Sequence, residues 1–178
     1  MKIAILGGGR VGSALAATWR ERGHEVAVSQ RGTVAETAAS GDVVVLALPA
    51  RAVADALAET GPLDGKVLID ATNNVSGGPG GLEIAALART ARYVKALNTV
   101  FSTFMHDTPP ERPASLVLCG DDEEAKRIAS ALVGDLGFEP VDAGGSDATP
   151  LVEALAHLVI DLAYNRGRGF FVYRFEPR

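Results

Sequence analysis

The chain has 178 residues, enough for one well-filled core, and its 47% hydrophobic and 22% charged content is that of a folded globular chain rather than a disordered one. A net charge of −5 with scattered basic residues speaks against a nucleic-acid partner or a charged membrane surface, and no apolar run is long enough to span a bilayer. No basic segment precedes a long apolar run near the start, so a cytoplasmic location is expected.

In chain order, short apolar runs at residues 2–6, 25–29, 42–48, 66–70, 93–97, 115–119 and 138–141 predict seven strands. Several are continuous in Val, Ile, Leu and Ala, as in a parallel sheet covered on both faces. Helical stretches at 12–22, 50–59, 82–91 and 122–136 fill the gaps, the last with Ala125, Ile128, Ala129, Leu132 and Leu136 at helical spacing. This alternation predicts an α/β chain with a Rossmann-like, doubly wound, mostly parallel sheet. One domain spans 1–178: a Rossmann core over 1–145, then a C-terminal helix and tail over 146–178.

The helix expected over 150–164 carries Leu151, Leu155, Leu158, Val159 and Leu162 on one stripe and Val152, Ala156 and Ile160 on another. It is apolar over most of its circumference and must be buried, which favours pairing with the same helix of a second subunit in a homodimer. The aromatic run at 170–175 predicts a terminal strand or extended arm. The single cysteine, Cys119, lies in an apolar stretch and reads as a small buried hydrophobe, and His24, His106 and His157 lack metal-ligand spacing, so no metal is expected.

The sequence Gly7-Gly8-Gly9-Arg10-Val11-Gly12 satisfies G-x-G-x-x-G at the mouth of a helix and directly after a strand. In that setting Gly7 permits the tight turn, Gly9 lets a pyrophosphate approach the backbone, and Gly12 lets helix and strand pack closely. The phosphates then meet free N–H groups and the positive end of the helix dipole. About twenty residues on, an NAD site carries an acid for the ribose 2′-hydroxyl. Here the second strand ends Val28-Ser29-Gln30-Arg31 without one. Arg31 can lie against a 2′-phosphate with Ser29 and Gln30 donating, and Arg10 adds a second cation, so NADP(H) is the expected cofactor.

Ligand loops of an open α/β sheet lie at the carboxyl ends of its strands. Leu48-Pro49, Ala71-Thr72-Asn73 and Asn98-Thr99-Val100 occupy those positions, and the amides of Asn73 and Asn98 suit either a nicotinamide carboxamide and ring edge or ordinary turn formation. Phe101, Phe104 and Met105 suit the wall of a ring pocket, core packing or a dimer contact. Tyr93 and Lys95 share a strand face and receive no acid–base role.

Together with the glycine loop and Ser29-Gln30-Arg31, the chain carries Ala47-Leu48-Pro49, Val94-Lys95-Ala96-Leu97-Asn98-Thr99, Cys119-Gly120-Asp121-Asp122, Val141-Asp142-Ala143-Gly144, Leu151-Val152-Glu153-Ala154-Leu155 and Asn165-Arg166-Gly167. On these residues it resembles, nearly end to end, the NADPH-dependent reductases of the deazaflavin coenzyme F420 and their flavin-using relatives. The resemblance implies a nicotinamide over the carboxyl ends of the strands, stacked on a deazaflavin and partly enclosed by the C-terminal segment. The family stretch usually reads Gly-Ser-Arg with a lysine four residues after the arginine, whereas here Ser29-Gln30-Arg31 is followed by Ala35, which leaves fewer contacts to a 2′-phosphate.

The expected activity is hydride transfer between NADP(H) and F420, FMN or FAD, by stacking of rings and with no catalytic side chain assigned. Two other readings stay open: an NADP-binding sensor without turnover, and a small imine or carbonyl reductase. Against the latter stand the missing Tyr-x-x-x-Lys pair and the absence of a larger helical C-terminal domain.

Overall fold

The alternation of side chains along each strand assigns them to two cores, one on each side of a parallel sheet. The computed structural model describes residues 1–75, 77–106 and 113–176. Strands β1 (Lys2–Leu6), β2 (Glu25–Val28), β3 (Val43–Leu46), β4 (Val67–Asp70) and β5 (Arg92–Lys95) form the sheet, in the order β2-β1-β3-β4-β5 and parallel throughout. Ile3, Ile5, Val43 and Val45 face one way and pack with helices α1 (Arg10–Glu21) and α5 (Glu123–Asp135). Ala4, Leu6, Val44 and Leu46 face the other way and pack with α2 (Val34–Ser40), α3 (Val53–Glu59) and α4 (Gly81–Leu87). Both faces are covered, which is why these strands lack any polar alternation.

The fold is the expected Rossmann-like α/β class, with two differences of detail. Strands β6 (Ser115–Leu118) and β7 (Glu139–Asp142) pair parallel with each other but form a separate two-stranded sheet. They meet β5 through one antiparallel bridge, where Lys95 N–H donates to Cys119 O at 2.9 Å and Cys119 N–H to Lys95 O at 3.0 Å. The strands diverge beyond that pair, since the chain turns away at Leu97, whose φ of 68° is left-handed. The second difference is α2, which the sequence reading leaves as a connection. Its seven residues are too few to display a stripe, and the helix is held by the packing of Thr37 and Ala38 in the core.

Helix α6 (Thr149–Tyr164) lies against α4 and the small sheet. Val152, Ala156, Val159 and Ala163 are its buried face, so Val159 sits opposite the stripe to which its spacing assigned it. Leu151 and Leu158 are exposed at 73% and 54%, leaving an apolar stripe in solvent within this chain. The tail is an extended arm: Ser115 N–H donates to Tyr173 O at 2.8 Å, and Phe175 N–H to Ser115 Oγ at 2.9 Å. Cys119 is buried as expected, and burial pushes its thiol pKa up.

What fixes α6 over the sheet is a buried ionic cluster. The Lys95 ammonium, fully buried, donates to Asp70 Oδ2 at 2.9 Å and to Thr72 O at 2.8 Å, and lies 3.3 Å from Glu153 Oε1 of α6. Asp70 also accepts from Thr72 N–H, Thr72 Oγ1 and Tyr93 OH. Glu153 Oε1 accepts from Gly81 N–H at the start of α4, at 2.8 Å. Burial, then the neighbouring Asp70 carboxylate, push the Tyr93 hydroxyl far above the ordinary tyrosine range, so it serves as a permanent donor. Removing the central cation strands two carboxylates in the interior, at a cost of about 3–5 kcal/mol. Lys95→Met is therefore expected to lower the unfolding free energy by about that amount. Urea titration followed by the fluorescence of Trp19, the one tryptophan, reads it. Adding Asp70→Asn is expected to recover part of the loss, and a silent Lys95→Met would remove the cluster from the account of stability.

Candidate functional site

Two of the three motif glycines are demanded by the fold itself. Gly7 has φ 115°, and a Cβ there would collide with Ala47 O at the end of β3. A Cβ on Gly12 would collide with Gly7 O and sit 3.1 Å from Ile5 Cγ2, so α1 can lie this close to β1 only without a side chain. Gly9 differs: at φ −74° and ψ −169° its backbone is ordinary extended chain, and a Cβ would meet nothing within 4 Å. The chain's own packing supplies no reason for glycine at this position.

Gly9 caps α1 without a side-chain bond, and no acidic residue occupies the first turn. The first helical bond runs from Ser13 N–H to Gly9 O at 2.9 Å, so the N–H groups of Arg10, Val11 and Gly12 precede it. This is an electropositive seat at the carboxyl end of β1, beside the place where the strand order reverses between β1 and β3. Leu48 packs next to Gly7 and is half-buried, while Pro49 is exposed at the entry to the turn before α3.

At the end of β2 the three expected residues divide. Ser29 is buried, and its Oγ accepts from Gly7 N–H at 3.1 Å, so it holds the glycine loop. Gln30 closes a turn with Thr33: Gln30 N–H donates to Thr33 Oγ1 at 2.9 Å, and Thr33 N–H to Gln30 O at 3.2 Å. Arg31, at the tip of that turn, is exposed, and no ion pair among the described residues engages it.

A cavity of about 310 Å³ opens between the first turn of α1, the loops after β4 and β5, α6 and the tail. Arg10 and Val11 line it from the glycine loop, Asn73, Asn98 and Thr99 from the strand ends, and Val159, Ile160 and Tyr164 from α6. Asn73 Nδ2 donates to Asn98 O at 2.8 Å, and Asn98 Nδ2 to Asn73 Oδ1 at 3.2 Å. The buried Asn98 Oδ1 is left with no partner among the described residues. Thr99 Oγ1 accepts from Tyr173 OH at 2.7 Å, which ties the tail to this wall. Phe170 of the tail stacks on Phe101, with ring centroids 4.6 Å apart and planes 30° from parallel, and Tyr164 meets both rings edge-on.

The structure thus brings together Arg10, Val11, Asn73, Asn98 and Thr99 around one cavity, with Gly9 next to Arg10 in the chain but outside the lining. It leaves Leu48, Pro49, Gln30 and Arg31 outside its lining. Phe101 is the only member of its expected aromatic group on the wall: Met105 is fully buried and Phe104 packs on the main core. The α6 residues and Phe170 complete the wall: the resemblance implies a C-terminal enclosure, but the sequence reading does not name these side chains as site residues. Their signal was present as the second apolar stripe of α6 and the aromatic tail, but neither says which strand end it faces.

The fold and the glycine turn define the Rossmann-like α/β class, and comparisons with known proteins narrow it. The family described as NADP oxidoreductase, coenzyme F420-dependent, matches residues 29–74, from Ser29 through the loop after β4. The F420-dependent NADP reductase of Methanocaldococcus jannaschii is 26% identical over 91% of this chain and 92% of its own length. The metalloreductase STEAP3 of Rattus norvegicus is 27% identical over 86% of this chain, which spans 36% of that protein. A solved structure of a candidate F420-dependent NADP reductase from Arthrobacter sp. FB24 covers 99% of this chain and 100% of its own, with a TM-score of 0.88 at 28% identity. A reductive aminase from Aspergillus terreus shares the fold, with a TM-score of 0.74 at 21% identity, over 93% of this chain and 62% of its own. The chain is thus similar to coenzyme F420-dependent NADP oxidoreductases in sequence and in fold. Among the described residues no helix is long and apolar enough to cross a membrane.

Proposed function

We propose that the protein binds NADP(H) along the glycine loop and exchanges a hydride between its nicotinamide and a deazaflavin of the F420 class, with flavins as the nearest alternative acceptors. The observation that carries this reading is Gly9: nothing in the chain's own packing requires glycine there, and open space stands beside an uncapped helix start. A pyrophosphate fills that space and takes the N–H groups of Arg10, Val11 and Gly12. Arg31 meets the 2′-phosphate from the β2 turn, and Asn98 Oδ1 accepts from the nicotinamide carboxamide. Bound NADPH supplies a hydride from nicotinamide C4 to the acceptor ring, which takes one proton from water to balance it. The chain's part is to hold two rings face to face between the β5 loop and α6 and to keep water from the gap, with no proton-transferring side chain.

The test is nucleotide titration and steady-state NADPH oxidation with F420 and FMN as acceptors. Gly9→Val is expected to keep the wild-type circular dichroism and lose nucleotide binding, because its side chain stands where the pyrophosphate lies. A folded variant that binds normally would sink the reading.

Wild type is expected to prefer NADP(H) over NAD(H). Loss of one charge-assisted phosphate contact costs about 1.5–3 kcal/mol, so Arg31→Ala narrows that gap by roughly tenfold or more. Equal affinities in the wild type would contradict the assignment.

We also propose that the exposed stripe of α6 pairs with its copy in a homodimer, which removes Leu151 and Leu158 from water. Light scattering on the wild type is expected to give twice the chain mass. Leu158→Asp, which sets a charge in an apolar seam, is expected to give the monomer or an aggregate.

A further inference from the structure

Of the residues the structure describes around the cavity, Arg10 carries the only formal charge, and no carboxylate lines it. Arg10 is exposed, and among the described residues no ion pair engages it. Its position also separates it from the 2′-phosphate role expected of it. The turn that carries Gln30 and Arg31 contributes nothing to this cavity, whereas Arg10 shares it with Asn98, Phe101, Tyr164 and Phe170. The two cations of the site therefore serve different places, one at the end of β2 and one facing α6 and the tail.

We propose that Arg10 is a specificity-determining residue for the second substrate, which it recognises through an anionic group, a phosphate or carboxylate, carried on a side arm of a planar ring. The inference rests on the reading that this cavity takes the acceptor. The remaining described wall is apolar or neutral: Val100, Phe101, Val159 and Ile160 suit the faces of a ring, and Thr99, Ser102 and Thr103 suit its polar edge. A neutral ring alone would leave a guanidinium facing the pocket without a counter-ion. An anionic arm gives it a charge-assisted partner, and the planar fork suits bidentate oxygen ligands. Arg10 stands at the first position of α1, where the helix dipole adds to the attraction for the same anion.

The experiment compares two ring-matched pairs that differ in their anionic side arm: F420 against its deazaflavin chromophore without that arm, and FMN against riboflavin, which lacks the phosphate. Each is titrated by calorimetry into the wild type, Arg10→Gln and Arg10→Lys in the presence of saturating NADP+, with NADP+ itself titrated separately. In at least one pair the phosphorylated member is expected to bind the wild type about 10- to 100-fold more tightly, with Arg10→Gln bringing that ratio near one and Arg10→Lys keeping most of it. The loss of NADP+ affinity in Arg10→Gln is expected to be smaller than the change in the acceptor ratio, since its pyrophosphate contacts are backbone N–H groups. Three results overturn the proposal: an unchanged ratio in Arg10→Gln, an equal loss of NADP+ affinity, or binding of none of the four probes. Arg10-dependent binding without NADPH oxidation would uphold the anion site and overturn the oxidoreductase reading. Oxidation that proceeds equally with phosphorylated and phosphate-free acceptors would uphold that reading and overturn this one.

Discussion

The site depends on one buried ammonium group. Lys95 lies at the end of β5 and joins Asp70 at the end of β4, the Thr72 carbonyl beyond it, and Glu153 of α6. Through Glu153 the same cluster reaches the first backbone N–H of α4. A helix as apolar as α6 has no intrinsic register against a sheet, because hydrophobic burial is non-directional. An ion pair in the interior is directional, since a buried charge without its partner costs several kcal/mol. The cluster therefore sets the height at which α6 crosses the strand ends. Ala156, Val159 and Ile160, one to two turns further along, become the second wall of the cavity as a consequence.

The glycine turn makes the opposite wall by a steric rather than an electrostatic constraint. Backbone carbonyls crowd the Cβ positions of Gly7 and Gly12, so the turn and the start of α1 have little freedom. Ser29 adds a bond from the neighbouring strand to Gly7 N–H. At the far end of the helix, Trp19 Nε1 donates to Leu132 O at 3.0 Å, and Thr18 Oγ1 donates to Met105 O at 2.9 Å. Helix α1 is thus fixed at both ends, and the direction of its first N–H groups follows from the fold before any ligand arrives. That is preorganisation in the sense that matters for binding charged groups.

What the sequence made legible is local. Short apolar runs located all seven strands, most directly β1, β3 and β4, because a strand covered on both faces needs no partner information to be recognised. The glycine loop, the acid-free end of β2 and the two asparagines could be read in the same way, from position relative to a strand. What was missed is long-range or too short. The ammonium of Lys95 meets a carboxylate fifty-eight positions later, and the Tyr173 hydroxyl reaches Thr99 across 74 residues. No periodicity encodes such pairings. A hydroxyl at a strand end serves equally to bind a ligand or to hold the adjacent loop, and the bond that Ser29 Oγ accepts from Gly7 N–H is of the second kind.

The make-up of the cavity bears on the kind of chemistry it suits. Reduction of a carbonyl or imine calls for a proton donor beside the substrate's heteroatom. Tyr93 is committed to Asp70 inside the protein, is held far above its ordinary pKa, and does not line the cavity. Among the described residues that line the cavity, Arg10 carries the formal charge, and the Tyr164 ring meets Phe101 and Phe170 edge-on. A wall of aromatic and branched side chains with a single cation suits transfer between two rings, where the cofactor supplies the reactivity and the protein supplies distance and dryness. The tail is part of the same cavity wall, because Phe170 stacks on Phe101 there.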